Sequence, residues 1–158
     1  MTGFMKQFEI LDIAGDVGLK VFGETEQEVF VHAALGMYSL ITNTDILEEQ
    51  KSITVSVESH ALDGLLVSWL NELIFHFDAY GFVGKRIVVS EFTPSLTLPL
   101  EGGGMGGDEA FRLKAVVYGE EFDPERHEGK LLIKAATYHR MKIEKKGHMW
   151  ESEIIFDI

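Results

Sequence analysis

LDGLLVSWLNELIFHFDAYG, residues 62–81, places Leu65, Leu66, Trp69, Leu70, Leu73, Ile74 and Phe77 at the three- and four-residue spacing of an amphipathic helix. Gly81 supplies a stop, because glycine enters the left-handed conformation that closes a helix without a Cβ penalty. TEQEVFVHAALGMYSLIT, residues 25–42, repeats the pattern: Val29, Phe30, Ala33, Met37, Leu40 and Ile41 share a face, and Thr25 with Glu28 forms a capping box at its start. Elsewhere the period falls to two. SITVSVES (52–59) alternates cleanly, RIVVSEF (86–92) and SLTLPL (95–100) read as short strands, and EAFRLKAVVYGE (109–120), KLLIKAATYHRMKIEKK (130–146) and MWESEIIFDI (149–158) read as longer ones. A helix with one apolar stripe must bury it, and the strands are the available partner. The expectation is an α+β fold: a single domain over 1–158, a mixed or antiparallel β-sheet with two amphipathic helices packed on it.

Composition limits the chemistry. Of 158 residues, 46% are hydrophobic, enough for one sizeable core, which argues against disorder. Lys and Arg number 14 against 26 Asp and Glu, a net charge of −12 that repels a phosphate backbone and disfavours direct nucleic-acid binding. The same field attracts metal cations or a basic protein partner, although excess acid also serves plain solubility. Cysteine is absent, which removes disulfides, thiolate metal sites and a Cys nucleophile. Met1 to Ile10 is too polar for a signal sequence, and no apolar run approaches the ~20 residues needed to cross a bilayer, so no membrane role and a cytoplasmic location are expected.

Catalytic patterns are sparse. EGGGMGGDE (101–109) lacks the Lys and Ser/Thr of a phosphate loop and reads as a flexible loop. No G-x-S-x-G or H-E-x-x-H pattern is present. Glu72 and His76 have the i, i+4 spacing of a metal pair, but a solvated edge beside the apolar stripe explains them more plainly. His32 reads as a packed or surface side chain, and His127 in DPERHEGK as part of a turn. Carboxylates remain. EILDIAGDVGLKVFG (9–23) sets Asp12 and Asp16 around a small-residue turn, which suits either a hard cation or simply a turn. The closing IIFDI adds Asp157 and Ile158 to a run that reads as a core strand.

LLVSWLNELIF (65–75), YGEEFDPERHEGK (118–130), IKAATYHRMKI (133–143) and WESEIIFDI (150–158) stand in the order and at about the spacing of the archease family, which the whole chain resembles. That resemblance implies a small acidic protein that activates the GTP-dependent RNA ligase of the RtcB type in tRNA splicing. It would do so by promoting guanylylation of the ligase's active-site histidine and multiple turnover, without joining RNA itself. It also implies a divalent cation, Ca²⁺ or Mg²⁺, held by Asp16, Asp157 and Ile158, the last through its main-chain carbonyl or terminal carboxylate. Where the family shows His-Thr-Ala-Asp, this chain reads Ile13, Ala14, Gly15, Asp16. The acid is kept while a His and a Thr that could support the site are lost, so Asp12 or His139 are candidates to replace them. In a regular strand Tyr138 and His139 would point to opposite faces. The rival expectation is a chaperone-like interaction protein that has lost the metal-dependent role.

Overall fold

The computed structural model describes residues 6–93 and 110–158; the expected strand at 95–100 and the glycine-rich stretch 101–109 lie outside them. Helix α1 (Glu26–Ile41) begins as its sequence requires. Thr25 Oγ1 accepts from the Glu28 N–H at 3.1 Å, and Glu28 Oε1 reaches back to the Glu24 N–H at 2.8 Å. Helix α2 (Leu62–Tyr80) ends at Gly81, whose φ of 73° needs a residue without a Cβ and whose N–H returns to the His76 and Phe77 carbonyls. The Gly81 carbonyl then receives the Phe122 N–H at 2.7 Å, so the helix end also anchors a distant loop.

Among the described residues the helices are joined by seven strands: β1 (Phe8–Ile13), β2 (Asp16–Gly23), β3 (Lys51–Ser59), β4 (Phe82–Thr93), β5 (Phe111–Glu121), β6 (Ala135–Lys146) and β7 (Met149–Asp157). They form two antiparallel sheets, β1-β2-β7-β6 and β3-β5-β4. Helix α1 packs on β2 of one sheet and β4 of the other, while α2 packs on β6 and β3, so each helix touches both sheets. This explains why both are more apolar than a one-sided stripe demands: Val67, Ala34 and Tyr38 are buried along with the periodic positions. Trp69, fully buried, donates from Nε1 to the Phe30 carbonyl at 2.9 Å and joins the two helices.

One expected strand is shorter than its sequence suggests. Residues 130–134 do not join a sheet. The N–H groups of Lys130 and Leu131 instead bond the carbonyls of Ile41 and Leu40 at 2.9 and 3.0 Å, because the last carbonyls of α1 have no partner within the helix. Strand β6 starts only at Ala135. No helix among the described residues is long and apolar enough to cross a membrane.

Candidate metal centre at the end of the four-stranded sheet

Strands β1 and β2 form a hairpin across Ala14 and Gly15, with Gly15 at a φ of 82°. On β2, Val17, Leu19 and Val21 face the core, and so do Phe156, Ile154 and Ser152 opposite them on β7. The β2–β7 ladder runs from Val17 opposite Phe156 to Gly23 opposite Trp150; continuing the same register by one residue sets Asp16 against Asp157, both on the outer face. Side chains so opposed have Cβ atoms about 4.5–5.5 Å apart, close enough for one cation to bridge them. Asp16 is half-buried; Asp157 and Ile158 are exposed.

The end of β7 is tied down. Asp157 pairs with Ala135 of β6, and its carbonyl accepts from the Lys134 N–H at 2.8 Å. An apolar strand ending in acid therefore sits between two neighbours, with its carboxylates held in place rather than frayed. The donor set, two side-chain carboxylates and an oxygen of Ile158, is all hard oxygen and fits Ca²⁺ or Mg²⁺. Among the described residues no three His, Asp or Glu side chains converge on a common point, so the set depends on that last oxygen.

The two supporting candidates stand apart from this pair. Asp12 lies opposite Val17, on the face that Asp16 turns away from, and is exposed. His139 belongs to a bulge: between Thr137, opposite Ile155, and Lys142, opposite Glu153, the four residues Tyr138 to Met141 face Ile154 alone. That level is three residues from Asp157, roughly 10 Å along the sheet. Alternation also fails at the bulge, since Tyr138 and His139 are both exposed.

Other sequence candidates resolve locally. His32 Nδ1 lies 2.6 Å from the Phe22 carbonyl and fastens α1 to β2. His76 Nε2 lies 3.5 Å from Glu72 Oε2, a contact within one helix face with no third ligand beside it among the described residues. His127 carries more than a turn. It is buried, its Nδ1 accepts from the Asp123 N–H at 2.7 Å, and its Nε2 therefore bears the proton and donates to Glu120 Oε2 at 3.1 Å. Glu120, also buried, takes the Glu48 N–H at 2.8 Å and the Arg126 guanidinium at 3.0 Å. Burial pushes the Glu120 carboxyl up, but the bonds from Glu48 and His127 and the Arg126 charge outweigh it and hold the group below its ordinary 4.5.

A second residue was not legible as a site element. Asn71 of α2 donates from Nδ2 to the Ala136 carbonyl at 3.2 Å and accepts the Ala136 N–H on Oδ1 at 2.8 Å, as a neighbouring strand would. It thus pairs the outer edge of β6 one residue from the Ala135–Asp157 level. WLNEL carries no hint of this, because a single polar residue on a helix reads as its solvent side.

The Archease protein family (MTH1598/TM1083) profile matches residues 8–158. The archease of Pyrococcus furiosus is 34% identical over 155 residues, covering 98% of this chain and 100% of that protein, and that of Sulfurisphaera tokodaii is 29% identical over 154 residues at the same coverage. The solution structure of Methanobacterium thermoautotrophicum protein 1598 superposes with a TM-score of 0.76 at 29% identity, covering 98% of this chain and all of that one. A Thermotoga maritima archease, a possible chaperone, shares the fold at a TM-score of 0.58 and 16% identity over 99% of this chain and 100% of its own. With sequence match and architecture agreeing from β1 to the end of β7, the chain belongs to the archease family.

Proposed function

We propose that this protein activates a GTP-dependent RNA ligase of the RtcB type, promoting guanylylation of the ligase's active-site histidine and repeated turnover, and is not itself an enzyme. The observation that supports this reading is the Val17–Phe156 register, whose next step brings Asp16 and Asp157 together at a sheet end that β6 ties down. Two like charges directly opposed repel, and a bound divalent cation reverses that cost. When bound, the cation supplies a fixed positive charge at the sheet end. Asp16, Asp157 and Ile158 would hold it, while β6 and Lys134 fix the strand that carries two of the three donors. Ile13, Ala14 and Gly15 bring no polar side chain to orient these donors, so affinity falls about tenfold below that of a supported site.

A single-turnover guanylylation assay of an RtcB-type ligase, with and without this protein, tests the reading. Stimulation is expected, and it should disappear in Asp157→Asn; no stimulation by the parent at saturating Ca²⁺ or Mg²⁺ would refute it. GTP turnover by the protein free of ligase would also refute it. The second reading, a chaperone-like protein without a metal-dependent role, is supported by the shared fold of the Thermotoga protein described as a possible chaperone. It predicts that Asp157→Asn leaves every partner effect intact.

A further inference from the structure

The bulge in β6 is held from both sides. Asn71 brackets Ala136 just before it, and Thr137 Oγ1 donates to the Ile155 carbonyl at 3.0 Å while accepting the His139 N–H at 3.2 Å. Four residues that no longer pair with β7 are thus presented in a fixed form, and Tyr138 at their head stays 61% exposed. A Cβ placed on Gly64 would come within 3.7 Å of the Tyr138 hydroxyl, so the ring reaches over the first turn of α2. An exposed aromatic pinned by two polar anchors costs burial that a core position would gain.

Tyr138 forms one wall of an open cleft of about 440 Å³. Val57 and Glu58 of β3 form the second wall, and Val67, Ser68, Asn71 and Glu72, a stripe at helical spacing, line the α2 side. Among the described residues the lining holds two carboxylates and no cation. Glu58 meets Arg112 at 3.8 Å and Glu72 meets His76 at 3.5 Å; with Glu58 60% and Glu72 43% exposed, both contacts are solvated and weak.

We propose that this cleft docks an arginine side chain presented by a partner protein. The chemistry selects arginine on three counts. Its planar guanidinium stacks on a tyrosine face, its fork of N–H donors satisfies carboxylates on opposite walls, and its aliphatic stem covers Val57 and Val67. Lysine offers a compact, strongly hydrated charge and less ring contact. A net charge of −12 steers such a partner to this surface. The proposal concerns a surface apart from the Asp16–Asp157 pair and stands whether or not a cation binds there.

The test is a titration of ¹⁵N-labelled protein with acetyl-Gly-Arg-Gly-amide, beside the Lys and Leu analogues. Saturable shifts are expected at Glu58, Ser68, Asn71, Glu72 and Tyr138 for the arginine peptide. Tyr138→Ala and the pair Glu58→Gln with Glu72→Gln should each weaken binding about fivefold, while Tyr138→Phe, which keeps the ring, should retain it. Equal binding of the lysine or leucine peptide, shifts spread evenly over the acidic surface, or no saturation would each overturn the assignment. The affected side chains are exposed and leave the core untouched, and an unchanged amide spectrum of each free variant verifies its fold.

Discussion

Replacing His127 with alanine tests whether a histidine that reads as a turn residue instead holds the loop at 122–130 in place. The substitution strips the Asp123 N–H of its acceptor and takes one donor from buried Glu120. Leaving a buried donor unsatisfied costs about 1–3 kcal/mol, and Phe122, whose ring centroid lies 5.5 Å from that of His127, loses a packing partner as well. Taking about 2 kcal/mol and the ~2–4 °C per kcal/mol expected of a chain this size, Tm should fall by about 4–8 °C at pH 7 in a calorimetric scan. The pH arm follows from Glu120. Its folded-state carboxyl lies below the ordinary 4.5, so its stabilising contribution is complete above that value and is lost as pH falls through the folded pKa. Glu120→Gln should accordingly be less stable than the parent at pH 6, with the gap closing as pH falls below the ordinary 4.5 and through the lowered folded-state pKa. A Tm for His127→Ala within 1 °C of the parent, or a Glu120→Gln gap that widens on acidification, would refute the reasoning.

At the sheet end, Asp157→Asn and Asp16→Asn should each weaken Ca²⁺ or Mg²⁺ binding in a calorimetric titration, with little further loss in the double variant, because two ligands of one ion act as a unit. In chelator the same single variants should melt no lower than the parent, since about 0.8 kcal/mol of repulsion across ~5 Å of water-like dielectric is relieved. Asn71→Ala removes both bonds to Ala136 and should speed hydrogen exchange at the Ala136 amide about tenfold or more, while Asn71→Asp, which keeps only the acceptor, should fall between. Association with an RtcB-type ligase should slow as salt rises from low ionic strength to above the physiological range, where the Debye length is ~8 Å; a rate indifferent to salt would point to a chiefly apolar interface.

The sequence by itself determined what depends on neighbours in the chain. The 3.6-residue spacing of apolar positions set α1 and α2, Thr25 and Glu28 set where the first begins, Gly81 set where the second stops, and clean alternation marked 52–59 as a strand. These follow from local geometry, which a single element carries within itself. Only the tertiary structure decided which strands meet. Asp16 and Asp157 are 141 positions apart, and nothing near either of them says that β7 lies beside β2 with the register that opposes the two acids. Likewise Asn71 reads as an ordinary polar helix position until β6 comes to rest against it, and Tyr138 and His139 alternate on paper until four residues must fit opposite one. Helices α1 and α2 show why: each is apolar enough to contact both sheets, but hydrophobic burial is non-directional, so it could favour packing without choosing the partner. Pairing register and polar satisfaction made that choice, because they are properties of two segments at once.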